Sequence, residues 1–373
     1  MKDTILFGDC KETLSEFAPQ SARTCVTSPP YYGLRDYGTA TWIGGDPNCN
    51  HRRDSKVKAE NCNTGHKNHD EMYGVGDAIY KTVCPKCGAI RQDSQIGLEE
   101  TPEEYIESLV NVFRSVRDVL TDDGTLWVNL GDSYYNYRPG KGQSYPKQSV
   151  SKTKQDLPDN CNKRGNKLDG LKEKDLIGIP WMFAFAMRKD GWYLRQDIIW
   201  HKPNPMPESV RDRCTKSHEY IFLFSKNRKY HYDNEAIKEP AKDWGTRDRT
   251  NGKYHNEGTG LQPHSGLTKS YPTKNKRSVW SVTVKPYKEA HFATYPPDLI
   301  EPCILAGSEE GDTVLDPFMG AGTTAAVAKS LNRHYIGCEL NEDYGNLIQK
   351  RIQDYQPVNK VAQEPTINIL DII

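Results

Sequence analysis

The chain has 373 residues, and its 50 Lys and Arg balance its 50 Asp and Glu, so the formal net charge is zero. No apolar run is long enough to cross a bilayer, and residues 1–4 do not begin a signal peptide, which argues against membrane and secreted classes. Ten cysteines in that setting indicate reduced thiols or metal ligands rather than a disulfide scaffold. We expect a cytoplasmic protein with one large α/β domain and inserts.

The first two predicted strands each end in a turn with polar side chains. Residues 4–7 form the first strand, which ends at Gly8 and Asp9. Open α/β sheets bind ligands at the carboxyl ends of their strands, so Asp9 is a candidate binding residue, with a surface turn as the alternative. After a short helix over 12–17, residues 24–27 form the second strand.

The turn after the second strand, Ser28-Pro29-Pro30-Tyr31, suits a planar ligand that carries an amino group. Two successive prolines have no N–H to donate and hold the backbone extended, so main-chain carbonyls point outward. A carbonyl and the Ser28 hydroxyl can accept the protons of an amine, and the Tyr31 ring can stack on its face. A plain proline-rich turn is the alternative.

Residues 39–96 are a polar insert in which we predict a zinc site. Cys84 and Cys87, followed by Gly88, have the spacing of a tight thiolate knuckle, and Cys49 and His51 complete a Cys3His set. Such a closed site is structural, and the metal would supply the folding energy that a polar insert lacks. A redox Cys-x-x-Cys is the alternative for the second pair. Spare ligand candidates are Cys62, His66 and His69.

The middle of the chain carries patterns of buried helices and strands. Thr101 caps a helix that begins with a proline and an acidic first turn, and one face of this helix is apolar at helical spacing. We predict a turn at residues 122–124 after it. The apolar face consists of Tyr105, Leu109, Val112, Phe113, Val116 and Leu120. Further predicted elements are a strand over 125–130, a helix over 181–187 and strands over 192–200 and 219–224.

Two basic segments are predicted to contact nucleic acid. Residues 135–174 are poor in apolar side chains, and Lys and Arg outnumber Asp and Glu there, as in a mobile loop that clamps phosphate. A solvated loop is the alternative. Residues 225–288 combine a similar excess with aromatic side chains, which suits a DNA-reading segment. The aromatic residues are Tyr230, Tyr232, Trp244, Tyr254, Tyr271 and Trp280.

A second ligand site is predicted towards the end of the chain. Residues 312–316 form a strand, 317–322 a glycine turn, 323–331 a helix and 335–339 the next strand. Glu339 lies roughly 20 positions after the first of these strands, the spacing of a carboxylate that holds ribose hydroxyls. The turn lacks the third glycine of a dinucleotide site, which favours a nucleoside cofactor without a pyrophosphate.

The two motifs together, Ser28-Pro-Pro-Tyr31 and Asp316-Pro-Phe-Met-Gly-Ala-Gly-Thr-Thr, resemble those of the S-adenosylmethionine-dependent DNA amino-methyltransferases. The catalytic motif precedes the cofactor motif, an order that resembles the permuted β class. The resemblance covers most of the chain outside three inserts. The Ser-Pro-Pro-Tyr form is typical of enzymes that methylate cytosine N4, whereas adenine N6 enzymes more often begin the motif with Asp or Asn.

This resemblance implies a Rossmann-like α/β fold with a doubly wound, mostly parallel sheet of about seven strands. It also implies residues for each part of the site. Catalytic candidates are Ser28, Pro29, Pro30 and Tyr31; cofactor-binding candidates are Asp9, His291, Asp316, Phe318, Gly320, Gly322, Thr323 and Glu339. Residues that would line the pocket of the target base are Asp132, Tyr134, Lys202 and Asn204.

The predicted division of the chain follows from the motifs and the inserts. The catalytic domain takes residues 1–38 and 97–225, with the basic loop at 135–174, and its cofactor-binding block takes 281–357. The zinc-binding insert is 39–96, the target-recognition region is 226–280, and 358–373 form a tail. The predicted partner is double-stranded DNA, with a cognate restriction endonuclease where the enzyme serves a restriction-modification system; phage DNA modification is the other setting.

The predicted reaction is methyl transfer to the exocyclic N4 amine of a flipped cytosine. The same reaction on adenine N6 is the first alternative, and a zinc-bearing DNA-binding protein without activity is the second. A methyltransferase acting on RNA or on a protein amine is a third, although that class more often carries Asn-Pro-Pro-Tyr.

Overall fold

The computed structural model describes residues 2–33, 39–51, 80, 82–135, 168, 170–241, 272–285 and 294–356. The chain separates into two compact units. The first takes its described residues from 1–28, 113–129 and 187–373, and the second from 29–112 and 130–186. No helix in the described ranges is long and apolar enough to cross a membrane.

The elements alternate between strands and helices along most of the chain. The strands are β1 (Thr4–Phe7), β2 (Ala22–Thr27), β3 (Thr41–Ile43), β4 (Ile90–Gln92), β5 (Leu120–Leu130), β6 (Tyr193–His201), β7 (His218–Ser225), β8 (Glu239–Pro240), β9 (Thr273–Lys274), β10 (Val279–Ser281), β11 (Thr313–Asp316) and β12 (His334–Glu339). The helices are α1 (Cys10–Thr13), α2 (Pro102–Val119), α3 (Ile179–Lys189), α4 (Pro297–Gly307), α5 (Thr323–Ser330) and α6 (Gly345–Asp354).

The first unit is built on a sheet that has eight strands among the described residues, in the order β1-β12-β11-β2-β5-β7-β6-β10. Its pairs from β1 to β5 are parallel, β6 and β7 are antiparallel, and β10 is parallel to β6. The predicted mostly parallel sheet is confirmed. The strand beyond the expected number is β10, whose three residues are too short to show a pattern in the sequence.

The central strands are buried because their side chains are apolar on both faces, as parallel sheets require. Residues of β2, β5, β7 and β11 share one buried cluster with α4, α5 and α6. Members of this cluster include Val26, Trp127, Ile221, Leu299, Ile304, Val314, Val327 and Ile348. A rigid, dry sheet of this kind gives fixed positions to the turns that follow its strands.

Helix α2 begins as its sequence predicts. The Glu104 N–H donates to the Thr101 hydroxyl at 3.2 Å, and the Thr101 N–H donates to the Glu104 carboxylate at 3.2 Å, so the two residues form a reciprocal capping box. The six residues of its predicted apolar face are all fully buried.

The predicted turn at residues 122–124 is not a separate turn. These residues lie inside β5, where Leu120 pairs with Ala22 and Thr125 pairs with Thr24, so the intervening residues bulge out opposite Arg23. An ion pair between Arg23 and Asp123 holds the bulge. The polar pattern that indicates a turn therefore marks an irregularity within one strand.

The second unit contains a small antiparallel hairpin of β3 and β4, in which Thr41 pairs with Gln92 and Ile43 with Ile90. Most of the predicted basic loop 135–174, much of the target-recognition region and the tail 358–373 lie outside the described residues. Of the target-recognition region, the structure describes the short antiparallel pair β8–β9 and the edge strand β10.

Candidate active site and metal centre

Two adjacent parallel strands bring the two sequence motifs to one edge of the sheet. Strand β11 pairs with β2 through Val314 and Thr24, and both strands end in a motif turn. The Thr27 hydroxyl, immediately before Ser28, donates to the Asp316 carboxylate at 2.5 Å. The ends of the two motifs are therefore joined directly within the first unit.

The glycine turn and Glu339 form a concave group at the ends of β11 and β12. The Gly320 N–H donates to Glu339 Oε2 at 2.7 Å, and the Asn341 N–H donates to Oε1 at 2.9 Å. Gly320 and Gly322 have φ values of +54° and +79°, which favour glycine because a side chain strains the left-handed region. At Gly322 an added Cβ would lie 2.8 Å from Ile348 Cγ2.

The Glu339 carboxyl is nearly inaccessible to water. Burial raises its pKa to about 7, against the opposing effect of the two backbone N–H donors. Near neutral pH the group therefore changes between a carboxylate, which accepts hydrogen bonds, and a neutral acid. A ligand that donates hydroxyl protons to Glu339 favours the carboxylate.

Asp316 is fully buried, and donors of the protein surround its carboxylate. Besides Thr27, the Phe318 N–H donates to Oδ1 at 3.0 Å, the Thr324 hydroxyl donates to Oδ2 at 2.5 Å, and the Tyr295 hydroxyl donates to Oδ2 at 3.1 Å. Burial raises the pKa of Asp316, and these donors oppose the shift. Through these hydrogen bonds Asp316 connects the glycine turn to β2 and to the start of α5.

The structure describes three further predicted cofactor residues, Phe318, Thr323 and Asp9. The Phe318 ring meets Phe113 edge-on, with 6.5 Å between ring centroids, and Thr323 is the buried first residue of α5. Asp9 follows β1, and its carboxylate accepts the Lys11 N–H at 2.9 Å as the N-cap of α1. His291 lies outside the described residues.

Ser28 belongs to a chain of polar contacts within the first unit. Its hydroxyl donates to Asn129 Oδ1 at 3.4 Å, and Asn129 Nδ2 donates to Glu219 Oε2 at 3.3 Å and to the Tyr220 carbonyl at 3.1 Å. Glu219 forms an ion pair with Lys202, whose Nζ lies over the Trp200 ring, 4.3 Å from its centroid. The predicted base-pocket residue Lys202 is thereby connected to Ser28.

The remaining motif residues are held by the second unit. The Tyr105 hydroxyl donates to the Pro30 carbonyl at 2.8 Å. The Tyr31 ring lies so close to Gly131 that an added Cβ there would be 2.6 Å from Tyr31 Cε2. The absence of a side chain at Gly131 therefore leaves room for the ring.

Two of the predicted base-pocket residues make hydrogen bonds to backbone groups. Asp132 Oδ1 accepts N–H groups from Gly178 and Ile179 at 3.1 and 3.2 Å, at the start of α3. A carboxylate at this position stabilises a helix N-terminus. The Asn204 amide makes two hydrogen bonds with the backbone of Val284, at 3.1 and 2.9 Å. Tyr134 forms an isolated bridge with Leu176.

The four predicted metal ligands meet in the second unit. The ligand atoms of Cys49, His51, Cys84 and Cys87 all lie within 4.8 Å of one another. Cys49 Sγ is 3.7 Å from Cys84 Sγ, and Cys87 Sγ is 3.5 Å from His51 Nδ1. The spare candidates Cys62, His66 and His69 lie outside the described residues.

Backbone hydrogen bonds shape this cluster. The Gly88 N–H donates to the Cys84 carbonyl at 2.7 Å, and the Cys84 N–H donates to the Ala89 carbonyl at 2.8 Å, which closes the knuckle. The His51 ring stacks on Trp42 with 4.2 Å between centroids. The knuckle leads directly into β4, so the cluster is fastened to the β3–β4 hairpin.

Comparison with known proteins gives the family. A model of N6- and N4-specific enzymes, described as DNA methylase, matches residues 22–350. The chain belongs to this DNA methylase family. The Type II methyltransferase M.XycI of Xanthomonas campestris pv. cyanopsidis is 39% identical to this methylase over 350 residues, covering 94% of this chain and 87% of its own. M.SmaI of Serratia marcescens is 39% identical over 353 residues, covering 93% and 90%.

A solved structure shares the fold of this methylase. The PvuII DNA methyltransferase, described as cytosine-N4-specific, has a TM-score of 0.53 at 16% identity, over 95% of this chain and 88% of its own. The architecture is thus the Rossmann-like α/β fold of DNA methyltransferases, as the motifs predict.

Several polar groups that contact the motif residues or their partners were not predicted from the sequence, namely the side chains of Asn129, Glu219 and Tyr295 and the hydroxyl of Tyr105. The one signal for Asn129 is a polar side chain inside an apolar strand run, where burial demands a partner. Glu219 and Tyr295 carry no such signal, because their partners are distant in sequence.

Proposed function

We propose that this DNA methylase transfers a methyl group from S-adenosylmethionine to the exocyclic N4 amine of cytosine in double-stranded DNA. The observation that carries the proposal is the junction of the two motifs through Thr27 and Asp316, which joins the residue before Ser28 to the residue that opens the glycine-turn motif. A related Type II methyltransferase at 39% identity supports a site-specific enzyme of a restriction-modification system, with a cognate endonuclease as partner.

The residues of the glycine turn suit a nucleoside. Glu339 offers carboxylate oxygens for ribose hydroxyls, and the backbone at Gly320 and Gly322 carries no side chain to obstruct the approach of a ligand. S-adenosylmethionine, when bound, supplies a methyl group on a positively charged sulfur. The site for it is formed by residues of the first unit.

The Ser28 motif acts on the target amine. The lone pair of an exocyclic amine is delocalised into the ring, so the nitrogen is a poor nucleophile. Hydrogen bonds from the amine to the Ser28 hydroxyl and the Pro29 carbonyl favour a pyramidal nitrogen and direct its lone pair. The neighbouring Pro30 carbonyl accepts a hydrogen bond from the Tyr105 hydroxyl.

The target base must leave the duplex to reach the end of β2. Enzymes that modify bases extrude them into a pocket, where aromatic side chains stack on the base. Tyr31 supplies the aromatic face, and the absence of a side chain at Gly131 leaves room for its ring. Basic residues in 135–174 and 226–280 would hold the DNA backbone.

We also propose that Cys49, His51, Cys84 and Cys87 hold a structural zinc ion. Tetrahedral zinc with Zn–S bonds of about 2.3 Å and Zn–N bonds of about 2.0 Å places two sulfurs about 3.8 Å apart, and a sulfur and a nitrogen about 3.5 Å apart. The distances of 3.7 and 3.5 Å agree with both values. A disulfide requires about 2.05 Å between sulfurs, so Cys49 and Cys84, at 3.7 Å, are not joined by one.

Nucleoside analysis of methylated DNA tests the proposed reaction. Purified protein is incubated with labelled S-adenosylmethionine and duplex DNA, and the DNA is digested to nucleosides. We expect label in N4-methylcytosine. Label in N6-methyladenine would instead support the adenine alternative, and absence of label would support a DNA-binding protein without activity.

A further inference from the structure

We propose that Asn129 is a positioning residue that makes the Ser28 hydroxyl a hydrogen-bond acceptor for the target amine. Glu219 and Lys202 fix Asn129 in the orientation that this requires. The inference rests on the proposed methylation of an exocyclic amine, and it gives specific parts to three residues, none of which belongs to the catalytic motif.

The orientation of Asn129 follows from its partners. Its amide nitrogen faces the Glu219 carboxylate at 3.3 Å and the Tyr220 carbonyl at 3.1 Å, and these two groups only accept hydrogen bonds. The nitrogen must therefore point to them, which leaves Oδ1 towards Ser28. Asn129 is 4% exposed, so water does not compete for these contacts.

The direction of the Ser28 hydroxyl follows in turn. Asn129 Oδ1 can only accept, so the single hydroxyl proton of Ser28 is drawn towards it, across 3.4 Å. Both lone pairs of Ser28 Oγ then remain for another donor. An amine is such a donor, and a hydroxyl that already gives its proton away cannot present it to the nitrogen lone pair that has to attack.

Lys202 and Glu219 complete the arrangement. Their side chains are 20% and 15% exposed, and the charge of Lys202 balances the carboxylate that Asn129 needs. Lys202 in turn lies over the Trp200 ring, which favours a cation. A neutral acceptor at position 219 would select the Asn129 orientation less strongly.

The same contacts exclude Ser28 as a route for the amine proton. Attack of nitrogen on the methyl carbon forms the N–C bond and breaks the S–C bond, whose electron pair stays on sulfur, so the methylated nitrogen carries a positive charge and a proton to lose. The amide oxygen of Asn129 is too weak a base to accept a proton through Ser28. The proton therefore leaves to water after methyl transfer.

A double-mutant cycle tests whether Asn129 acts through Ser28. Single-turnover methylation rates are measured for the parent, Ser28→Ala, Asn129→Ala and the double variant. In the parent background we expect Asn129→Ala to lower the methylation rate about 10- to 100-fold, which is the effect of a slightly misplaced reacting group. In the Ser28→Ala background it should change the rate by no more than about twofold. Equal losses in both backgrounds overturn the proposal.

A second pair of variants separates positioning from stability, because Asn129→Ala removes a buried amide and lowers stability. Glu219→Gln keeps the shape of its side chain, and we expect a clear loss of rate with cofactor affinity unchanged. Asp123→Asn is the matched control, since it breaks an ion pair with Arg23 at the opposite ends of the strands. It should lower the melting temperature without changing the rate. A normal rate in Glu219→Gln contradicts the proposed part of Glu219.

The failure of this inference can be told from failure of the proposed function. The DNA from the parent reaction is digested to nucleosides, as above. Detection of N6-methyladenine overturns the cytosine assignment. The double-mutant cycle of Ser28 and Asn129 stays valid, because its rates refer to whichever amine is methylated. A parent protein that methylates neither base overturns the proposed function and this inference together.

Discussion

Among single residues, Glu339 is expected to couple cofactor binding to pH. Burial raises the pKa of its carboxyl to about 7, so the ligand-free protein holds a proton there below that pH. In the proposed site, ribose hydroxyls donate to the carboxylate, so cofactor binding should release the proton. We expect S-adenosylmethionine affinity to fall by up to about tenfold per pH unit below pH 7, and to level off above it.

Calorimetry between pH 6 and 8.5 measures this dependence. The Glu339→Gln variant is the control, because its amide does not titrate in that range. It should bind more weakly at pH 8 and show no such slope. An affinity of the parent that is flat across pH 7 would contradict the coupling.

Gly320 provides a second test of the cofactor site. Gly320→Asp puts a carboxylate next to the Gly320–Glu339 hydrogen bond, on a backbone in the left-handed conformation. We expect loss of S-adenosylmethionine binding with the fold retained. Gly311→Asp is the matched control. Gly311 also has a positive φ, +83°, but an added Cβ meets nothing within 4 Å. Both variants carry the same backbone strain, about 1–2 kcal/mol, so a difference in binding between them isolates the site.

Tyr31 should contribute to holding the extruded base. Loss of a stacking face costs about 1–3 kcal/mol, so Tyr31→Ala should weaken binding of the target accordingly. The defect should shrink on a duplex whose target base is mismatched, because a mismatch lowers the cost of extrusion. Single-turnover rates on matched and mismatched duplexes measure this. An equal defect on both duplexes points to a structural turn.

Among the elements, we expect the β3–β4 hairpin to depend most on a ligand. Its strands have three residues each, too few for a hairpin to be stable alone in water. We expect one zinc ion per chain in protein purified without added metal, and loss of that zinc in Cys84→Ser with Cys87→Ser. Elemental analysis and melting curves measure both effects.

Cys214→Ser is the control for the metal, because Cys214 is an exposed free cysteine of the first unit. It should keep its zinc. Parent protein without zinc, or zinc that survives the double substitution in the knuckle, would refute the metal site.

At the scale of the whole molecule, the described residues of the proposed cofactor site and the proposed metal ligands belong to different compact units. We therefore expect the Cys84→Ser, Cys87→Ser protein to bind S-adenosylmethionine with the parent affinity at temperatures where it stays folded. Calorimetry on both proteins gives the comparison. An affinity that falls tenfold, about 1.4 kcal/mol, would mean that the two sites depend on each other.

The sequence predicts those parts of the molecule that local chemistry determines. The N-cap at Thr101, the strand at Thr4–Phe7 and the Cys3His cluster all rest on residues close in sequence or on strict ligand chemistry. The bulge at residues 121–124 could not be predicted, because a polar Asp-Asp-Gly run has the same pattern in a turn. Helix α6 was not predicted either, because Ile348 and Ile352 are nearly its whole apolar signal.

Pairings across long sequence separations limited the prediction of the site. The Asn129–Glu219 contact joins residues of two strands, and no pattern in either strand names the other. Asp316 matches the family motif, yet only the structure shows that donors of the protein surround its carboxylate. A motif thus locates a residue more reliably than it defines what the side chain touches.

The pairing of β1 with β12 has a consequence for synthesis of the chain. Residues 4–7 find their partners only at 336–339, and β2 lacks its neighbour β11 until residues 313–316 are made. At about 5–20 residues per second, β1 waits on the ribosome for roughly 15–70 s. The nascent chain therefore carries the apolar edges of β1 and β2 uncovered through most of translation. Lower growth temperatures, or chaperones that bind such edges, should raise the yield of folded enzyme.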